Sequence, residues 1–433
     1  MRQIYSFIIR MYGLSLWISS LFNQKARDWF YGRREIFTKL EEVFSSENKA
    51  GDRPPVIWVH CASLGEYEQA RPVIQAIKTR FPDHLVLLTF FSPSGYNNKP
   101  TNSGADFVFY LPLDTPRNAN RFIKIVSPLL AIFVKYEFWY NYLHQLYLRN
   151  IPTLTISAIF RPTQHFFKWY GGWFRRHLRN VDQIFVQDEE SIELLSMIDV
   201  NNVTLSGDTR FDRVLGISEQ ESHMPFLEEF SKDHFTLVAG STWQPDEDIL
   251  WQLQESFGDW LRVIIAPHEI NQRHITDLSS RLNGRSVLYS SLITSNVSPE
   301  DYFKQHEVKV IIIDSIGLLS KIYRYGNIAY IGGGFGVGIH NTLEAAVYGI
   351  PVLFGPNYQK FKEARELIQL KAAESVKDGE ELINSVRLFH SLPDRLQEYS
   401  EQAAKYVESR SGATNKIMEM LQSYVEIPRD HQS

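Results

Sequence analysis

Cysteine is nearly absent: Cys61 stands alone among 433 residues, so no disulfide can form within the chain. A lone thiol excludes the small disulfide-stapled folds and suits a reducing compartment for the main body. Charge of one sign is also lacking. The net charge of −5 gives no global basic field for nucleic acid, and any anion site has to be built locally. There is no short-period repeat and no low-complexity segment. What remains is an ordinary globular composition, 44% hydrophobic and 22% charged, on a chain too long for one core. Two domains are the natural expectation.

One segment departs from this. Ile4 to Phe22 is apolar and aromatic apart from Arg10 and small polar residues, and Lys25, Arg27, Arg33 and Arg34 follow. No small-residue cleavage site follows the apolar stretch, which argues against a removable signal peptide. A spanning helix needs roughly 20 apolar residues and would carry Arg10 near its middle. A helix lying in the headgroup layer tolerates that arginine better, and a buried helix is the third option. If it spans, the basic flank places the rest of the chain in the cytoplasm.

From Pro54 onward, short apolar runs alternate with helical stretches. Val56–His60, Leu85–Phe90, Phe107–Pro112, Leu129–Val134, Pro152–Ser157 and Gln183–Gln187 read as buried strands, with a helix from Glu66 to Lys78. That alternation implies a parallel sheet covered on both faces. Around Gly216–Phe230 the pattern breaks into a polar, acidic stretch. It resumes with Phe235–Ser241, Arg262–His268, Val308–Asp314, Ile328–Gly334 and Pro351–Pro356. The expected organisation is a membrane-associating helix (1–30), a Rossmann-like domain (50–220), a second Rossmann-like domain (230–410), and a carboxyl-terminal helix and tail (411–433). Two such domains would face each other across a cleft at the carboxyl ends of their strands.

Six motifs could carry chemistry. HCASLGE (His60 to Glu66) ends a strand and opens a helix with Glu66 in its first turn. There a carboxylate is ordinarily held ionised by the helix dipole and can act as a general base, though stabilising its own helix is the plainer role. The run from Gly332 to Pro356 places a glycine-dense loop before a helix starting near Asn341 and Thr342. Glycines admit a phosphate to the backbone, free amides can hold it, and Glu344 could accept from ribose hydroxyls. Tight packing is the other reason for such glycines. Gly334-x-Gly336-x-Gly338 also resembles a dinucleotide fingerprint, but the spacing is wrong and PVLFGP ends in no ribose-binding acid, which disfavours a dehydrogenase.

The remaining four are individually weak. APHEINQRH offers Pro267, His268 and Arg273 past a strand end. VKYEFW carries Lys135 and Glu137, and SGDTRFD carries Arg210 near the domain junction; a structural ion pair would explain both. HFFKWYGGWFRRHLR (His165 to Arg179) interleaves aromatics with Lys168, Arg175, Arg176 and Arg179. It reads either as a lipid-facing surface that attracts a phosphorylated lipid or as a helix whose aromatics pack inward.

Taken in order, these motifs resemble the 3-deoxy-D-manno-octulosonic acid (Kdo) transferases of lipopolysaccharide synthesis. The match runs from the hydrophobic helix through S-x-G-E, K-x-E-x-W, G-x-x-R-F-D, P-H and G-x-H-N-x-L-E to G-x-P-V-x-x-G-P, ending near Phe361. The resemblance implies a GT-B fold and an inverting transfer of Kdo from CMP-Kdo to the lipid A precursor, with no metal ion or other cofactor. It places the catalytic domains on the cytoplasmic face of the inner membrane. It makes Glu66 the proton acceptor for the lipid's sugar hydroxyl, and gives Glu137 and Arg210 to transition-state stabilisation. Pro267 and His268, Ile316, Gly317 and Leu318, and Asn341, Thr342, Leu343 and Glu344 become the CMP site, joined by Arg273 and Gly334 on the strength of their own motifs. The chain departs from the family's usual pattern in having Leu318 after Gly317, Lys360 before Phe361, and Arg210 where lysine is common. The competing readings are another GT-B nucleotide-sugar enzyme, such as a lipid-linked hexosamine transferase or an epimerase using UDP donors; a dehydrogenase; and a non-catalytic membrane scaffold.

Overall fold

The structure is a computed structural model that describes residues 1–44, 53–98, 103–256, 260–282 and 284–426. Position 50, the expected start of the first domain, and the expected tail 427–433 lie outside the described residues. The chain divides into two compact units, Met1–Arg213 with Ser411–Ser433, and Val214–Arg410.

The first unit contains a seven-stranded parallel sheet. Its strands are β1 (Val56–Cys61), β2 (Leu85–Phe90), β3 (Phe107–Tyr110), β4 (Leu130–Val134), β5 (Thr153–Ala158), β6 (Gln183–Val186) and β7 (Val203–Leu205), in the order β3-β2-β1-β4-β5-β6-β7. The central strands are apolar at nearly every position because helices cover both faces. Trp58 and Phe133 point into one layer of the core, Ile57, Val59, Ile132 and Val134 into the other. The order reverses between β1 and β4, which are paired in parallel with Ile57 opposite Leu130. At such a reversal the loops leave the sheet in opposite directions and open a crevice above the carboxyl ends of the strands.

The helix Ala413–Val425 belongs to this first unit and is not a separate element. Ile417, Met418 and Leu421 sit in the core layer with Ile57 and Val59. Asp212 fixes the helix start, accepting from Thr414 N at 2.6 Å and Thr414 Oγ1 at 2.7 Å, and from Gly412 N.

The amino-terminal stretch forms a helix, Arg2–Ser19. One narrow side docks: Tyr5 Oη donates to the buried Asp114 at 2.6 Å, and the Tyr5 ring meets Tyr140 edge-on at 5.1 Å. Ile4, Phe7, Ile8, Met11, Leu14, Trp17 and Ile18 remain exposed. Among the described residues no helix is long and apolar enough to cross a membrane.

The second unit holds another seven-stranded parallel sheet. Its strands are β8 (Phe235–Thr242), β9 (Leu261–Pro267), β10 (Ser286–Leu288), β11 (Val310–Ile312), β12 (Ile328–Ile331), β13 (Val352–Phe354) and β14 (Ala373–Ser375), ordered β10-β11-β9-β8-β12-β13-β14. The reversal here falls between β8 and β12. The unit boundary at Arg213 and Val214 lies inside the helix Thr209–Ser218. The stretch read as aperiodic contains the helix Pro225–Ser231, whose Phe226, Leu227 and Phe230 are buried.

Candidate functional site

In the first unit the acidic residues gather at the strand-order reversal. Glu66 stands in the first turn of the helix Leu64–Arg80, which leaves the carboxyl end of β1 after the extended Ser63. Lys135 and Glu137 lie on the loop leaving β4, the neighbouring strand. Lys135 is held in the left-handed region at φ 61, a conformation that costs a non-glycine residue about 1–2 kcal/mol, and its amide is fixed to Ile156 O at 2.8 Å. Backbone strain of this kind persists where surrounding contacts impose it and collects at functional sites.

Glu66 is 7% exposed, and its Oε2 accepts from Ala62 N. Burial pushes its carboxyl above the usual range, opposed by the Ala62 amide, the Lys135 ammonium and the Ser63 amide. Desolvation of the buried carboxyl thus works against the helix dipole and these donors, so ionised Glu66 is held less firmly than its first-turn position alone implies. Glu137 is pushed up further, to about 8, by burial and then by the neighbouring Glu66, against hydrogen bonding to Trp139 and the charge of Lys135. Two carboxyls near one ammonium in a poorly hydrated site cannot both ionise readily. The pair therefore favours one carboxylate and one carboxylic acid, a division that suits acid–base work.

Arg210 lies in the first turn of the helix Thr209–Ser218 and forms an ion pair with Asp208, Nε to Oδ2 at 2.8 Å. Asp208 also accepts from Gln69 Nε2 at 3.1 Å, and Gln69 lies on the helix that carries Glu66. The plainer ion-pair reading of Arg210 thus describes its ground state. Arg210 is tied to the Glu66 helix through Asp208, whereas Lys135 is the cation that acts directly on both carboxyls.

In the second unit the carboxyl ends of β8 and β12 carry the glycine loop. Asp246, 1% exposed, accepts from Gly333 N at 2.8 Å, Trp243 N at 2.9 Å and Tyr330 Oη at 2.7 Å, which pins the loop to the end of β8. Gly333 at φ +91 and Gly338 at φ +112 need conformations that side chains resist. Gly334 has a packing reason: a Cβ there would lie 2.4 Å from Gly355 N. Asn341 Oδ1 accepts from Leu343 N at 3.2 Å and its Nδ2 donates to Glu344 at 3.0 Å. The helix that follows, Leu343–Ala346, has only four residues, so local amides rather than a macrodipole supply the donors there. Thr342 is buried, while Asn341 is exposed.

Pro267 closes β9 and pairs with Thr242. The His268 ring stacks at 4.6 Å on Trp243 and at 4.4 Å on His340, and Trp243 Nε1 donates to His340 Nε2 at 3.1 Å. Burial and then His268 lower the His340 basicity, in keeping with a neutral acceptor. Ile316 and Gly317 stand exposed on the loop after β11, and Leu318 precedes the short helix Leu319–Ile322. Arg273 is exposed on the helix Gln272–Arg281. Trp243, Asp246 and His340 are the loop-shaping residues that sequence reasoning did not assign. Asp246 three residues after Trp243 is a helix-start spacing that could have drawn notice.

The segment His165–Arg179 divides its side chains. Phe166 is buried, Trp173 and Phe174 pack on the core, and Arg175 donates to the carbonyls of Phe166 (2.7 Å) and Lys168 (2.8 Å). Arg175 therefore clips its own loop, and inward packing accounts for much of the motif. Trp169, 94% exposed, and Tyr170 stay outside. Among the described residues no group of three His, Cys, Asp or Glu side chains is arranged to hold a metal ion.

Comparison with known proteins follows the same lines. Residues 34–213 match the family model described as 3-deoxy-D-manno-octulosonic-acid transferase. The chain is 27% identical over 358 residues to the 3-deoxy-D-manno-octulosonic acid transferase of Aquifex aeolicus, covering 81% of this chain and 90% of that one. It is 25% identical over 446 residues to the enzyme of the same name from Rickettsia felis, covering 98% and 91%. Among solved structures, the UDP-GlcNAc 2-epimerase of Neisseria meningitidis superimposes with a TM-score of 0.59 at 15% identity, covering 85% of this chain and all of the other.

Proposed function

Because the chain belongs to the Kdo transferase family of glycosyltransferases, we propose that it moves Kdo from CMP-Kdo to a lipid A precursor, with inversion at the anomeric carbon. Its two parallel-sheet units are those of the GT-B fold. The observation that carries the reading is the acid pair, Glu66 and Glu137 beside Lys135, at the strand reversal of the first sheet.

Attack by a sugar hydroxyl needs a base, and Glu66 is the carboxyl of the pair better supplied with donors to its ionised form. Glu137, held protonated by burial and by Glu66, offers a hydrogen-bond donor to charge that develops during transfer. Arg210 contributes a positive charge near the Glu66 helix. The CMP moiety is given to the second unit, with Pro267 and His268 beside the base and Ile316, Gly317, Leu318 and Asn341 to Glu344 along the nucleotide. Gly334 and Arg273 serve this site less directly, through loop packing and surface charge. No cofactor is assigned a part.

The acceptor is an anionic lipid, and the first unit offers it suitable surfaces. An apolar cavity of about 590 Å³ lies between the amino-terminal helices and Phe91, lined by Tyr12, Leu16, Phe22, Trp29 and Phe91. The outward apolar side of the helix Arg2–Ser19 suits the headgroup layer of a membrane, with Arg10, Lys25 and Arg27 toward lipid phosphates. The resemblance to Kdo transferases supports a location on the cytoplasmic face of the inner membrane, and this helix side is the surface proposed to meet it.

Calorimetric titration with CMP, UMP and NAD tests the donor class. Selective CMP binding supports the proposal. Preference for UMP would favour a UDP-sugar enzyme of the same fold, and NAD binding would return the dehydrogenase reading.

A further inference from the structure

Three rings meet at one end of the second sheet, each from a different strand. Trp243 follows β8, His268 follows β9, and His340 ends the glycine loop after β12. Trp243 Nε1 donates to His340 Nε2 at 3.1 Å, and these two rings lie within 13° of coplanar with centres 6.5 Å apart. They join edge to edge into one flat surface. His268 stacks on both halves of it, 4.6 Å from Trp243 at 25° and 4.4 Å from His340 at 24°. Because the lower rings are nearly coplanar, His268 lies over their seam and not between them. One face of the imidazole is covered, and the other is turned outward on an exposed residue. The backbones that carry the rings are tied to one another as well. His268 N donates to Thr242 O at 2.9 Å, His340 N donates to Gly332 O at 3.3 Å, and Asp246 holds both Trp243 N (2.9 Å) and Gly333 N (2.8 Å).

We propose that Trp243 and His340 are positioning residues for the donor nucleotide: their hydrogen-bonded platform holds the His268 ring flat, so that its outward face stacks the pyrimidine base. The inference rests on the reading of the second unit as the CMP site. Stacking uses the π-face that every base has, and an aromatic ring is the surface that accepts it. A histidine on a loose loop would lose side-chain freedom when a base settled on it. One already packed on two rings has little left to lose, which favours binding. Stacking is tolerant of base identity, so a choice of cytosine over uracil lies with other contacts.

The test is calorimetric titration of the full chain with CMP. His268→Ala and Trp243→Ala should each weaken CMP binding about tenfold, the scale of one base–ring stack. His268→Phe and Trp243→Phe keep a ring at each level and should recover most of the affinity. Trp243 acts through His268, so Trp243→Ala added to His268→Ala should cost nothing further, whereas independent effects would add. In turnover the loss should fall on KM for CMP-Kdo with kcat kept, the mark of binding that ground and transition states share. If His268→Phe binds as poorly as His268→Ala, the imidazole nitrogens and not its face meet the ligand, and the inference is overturned. Additive losses in the double variant overturn it too, because they reduce Trp243 to a general support of the fold. If Trp243→Ala does not fold, the two His268 variants and Trp243→Phe decide the matter. The two levels separate cleanly: a parent chain that does not bind CMP removes the donor reading itself, and a parent that binds CMP no better than His268→Ala removes only the stack.

Discussion

Glu137→Gln is expected to make the protein more stable and less active, and the gain should depend on pH. In the folded state burial and Glu66 raise the Glu137 carboxyl from 4.5 to about 8. A group raised on folding gives its full contribution below the unfolded value, and that contribution is lost as pH rises through the folded value. At pH 4 the parent and the glutamine variant should unfold alike. Between pH 4.5 and 8 the parent loses stability progressively, because folding resists an ionisation that the unfolded chain permits. Glutamine has no proton to lose, so the difference should grow through this window and level off above it. A tenfold change in the affinity of a carboxylate for its proton corresponds to about 1.4 kcal/mol, and relaxation around a partly hydrated site reduces the full value, so a gain of about 2–4 kcal/mol is expected at pH 9. Thermal unfolding at pH 4.5, 6.5 and 9, followed by tryptophan fluorescence, reads this directly. Equal melting temperatures for the two proteins at pH 9 would refute the argument that the acid pair is strained by burial and mutual repulsion. A gain that comes with lost turnover is the mark of an active-site group held at a cost in stability.

Other outcomes follow from the same geometry. Glu66→Gln should keep the fold and CMP affinity while transfer falls about 10²- to 10⁴-fold, measured as turnover at saturating donor. Asp246→Ala leaves Gly333 N, Trp243 N and Tyr330 Oη without their acceptor; it should destabilise the second unit by about 2–4 kcal/mol and weaken CMP binding, read by calorimetry and unfolding. Phe7→Glu together with Ile8→Glu, on the exposed side of the amino-terminal helix, should release the protein from anionic vesicles in a flotation assay without changing CMP affinity.

How far the sequence alone led differs from element to element. The strands β1, β2, β4 and β8 were legible because they are buried on both faces and so read as nearly unbroken apolar runs. The edge strands β7, β10 and β14 were not. Each has three residues and a single neighbour, and β14 carries Glu374, so none shows a distinctive run. The attachment of the helix Ala413–Val425 to the first unit depends on Asp212, some 200 positions away, and no local pattern announces it. At the site, Glu66 and Glu137 stood out by motif, but their perturbation did not. It arises from two loops brought together by the pairing of β1 with β4. The backbone contacts of Arg175 were not legible because an arginine among aromatics looks alike whether it meets lipid phosphate or its own backbone carbonyls.

The central claim is a reaction, and mass spectrometry of its product tests it most directly. Incubation of the full chain with CMP-Kdo and the lipid A precursor should give lipid heavier by one or more whole Kdo units, with CMP released in equal amount to the Kdo transferred and both formed about 10²- to 10⁴-fold more slowly with Glu66→Gln. Unchanged lipid beside active relatives assayed in parallel, or transfer from a UDP-sugar instead, would contradict it.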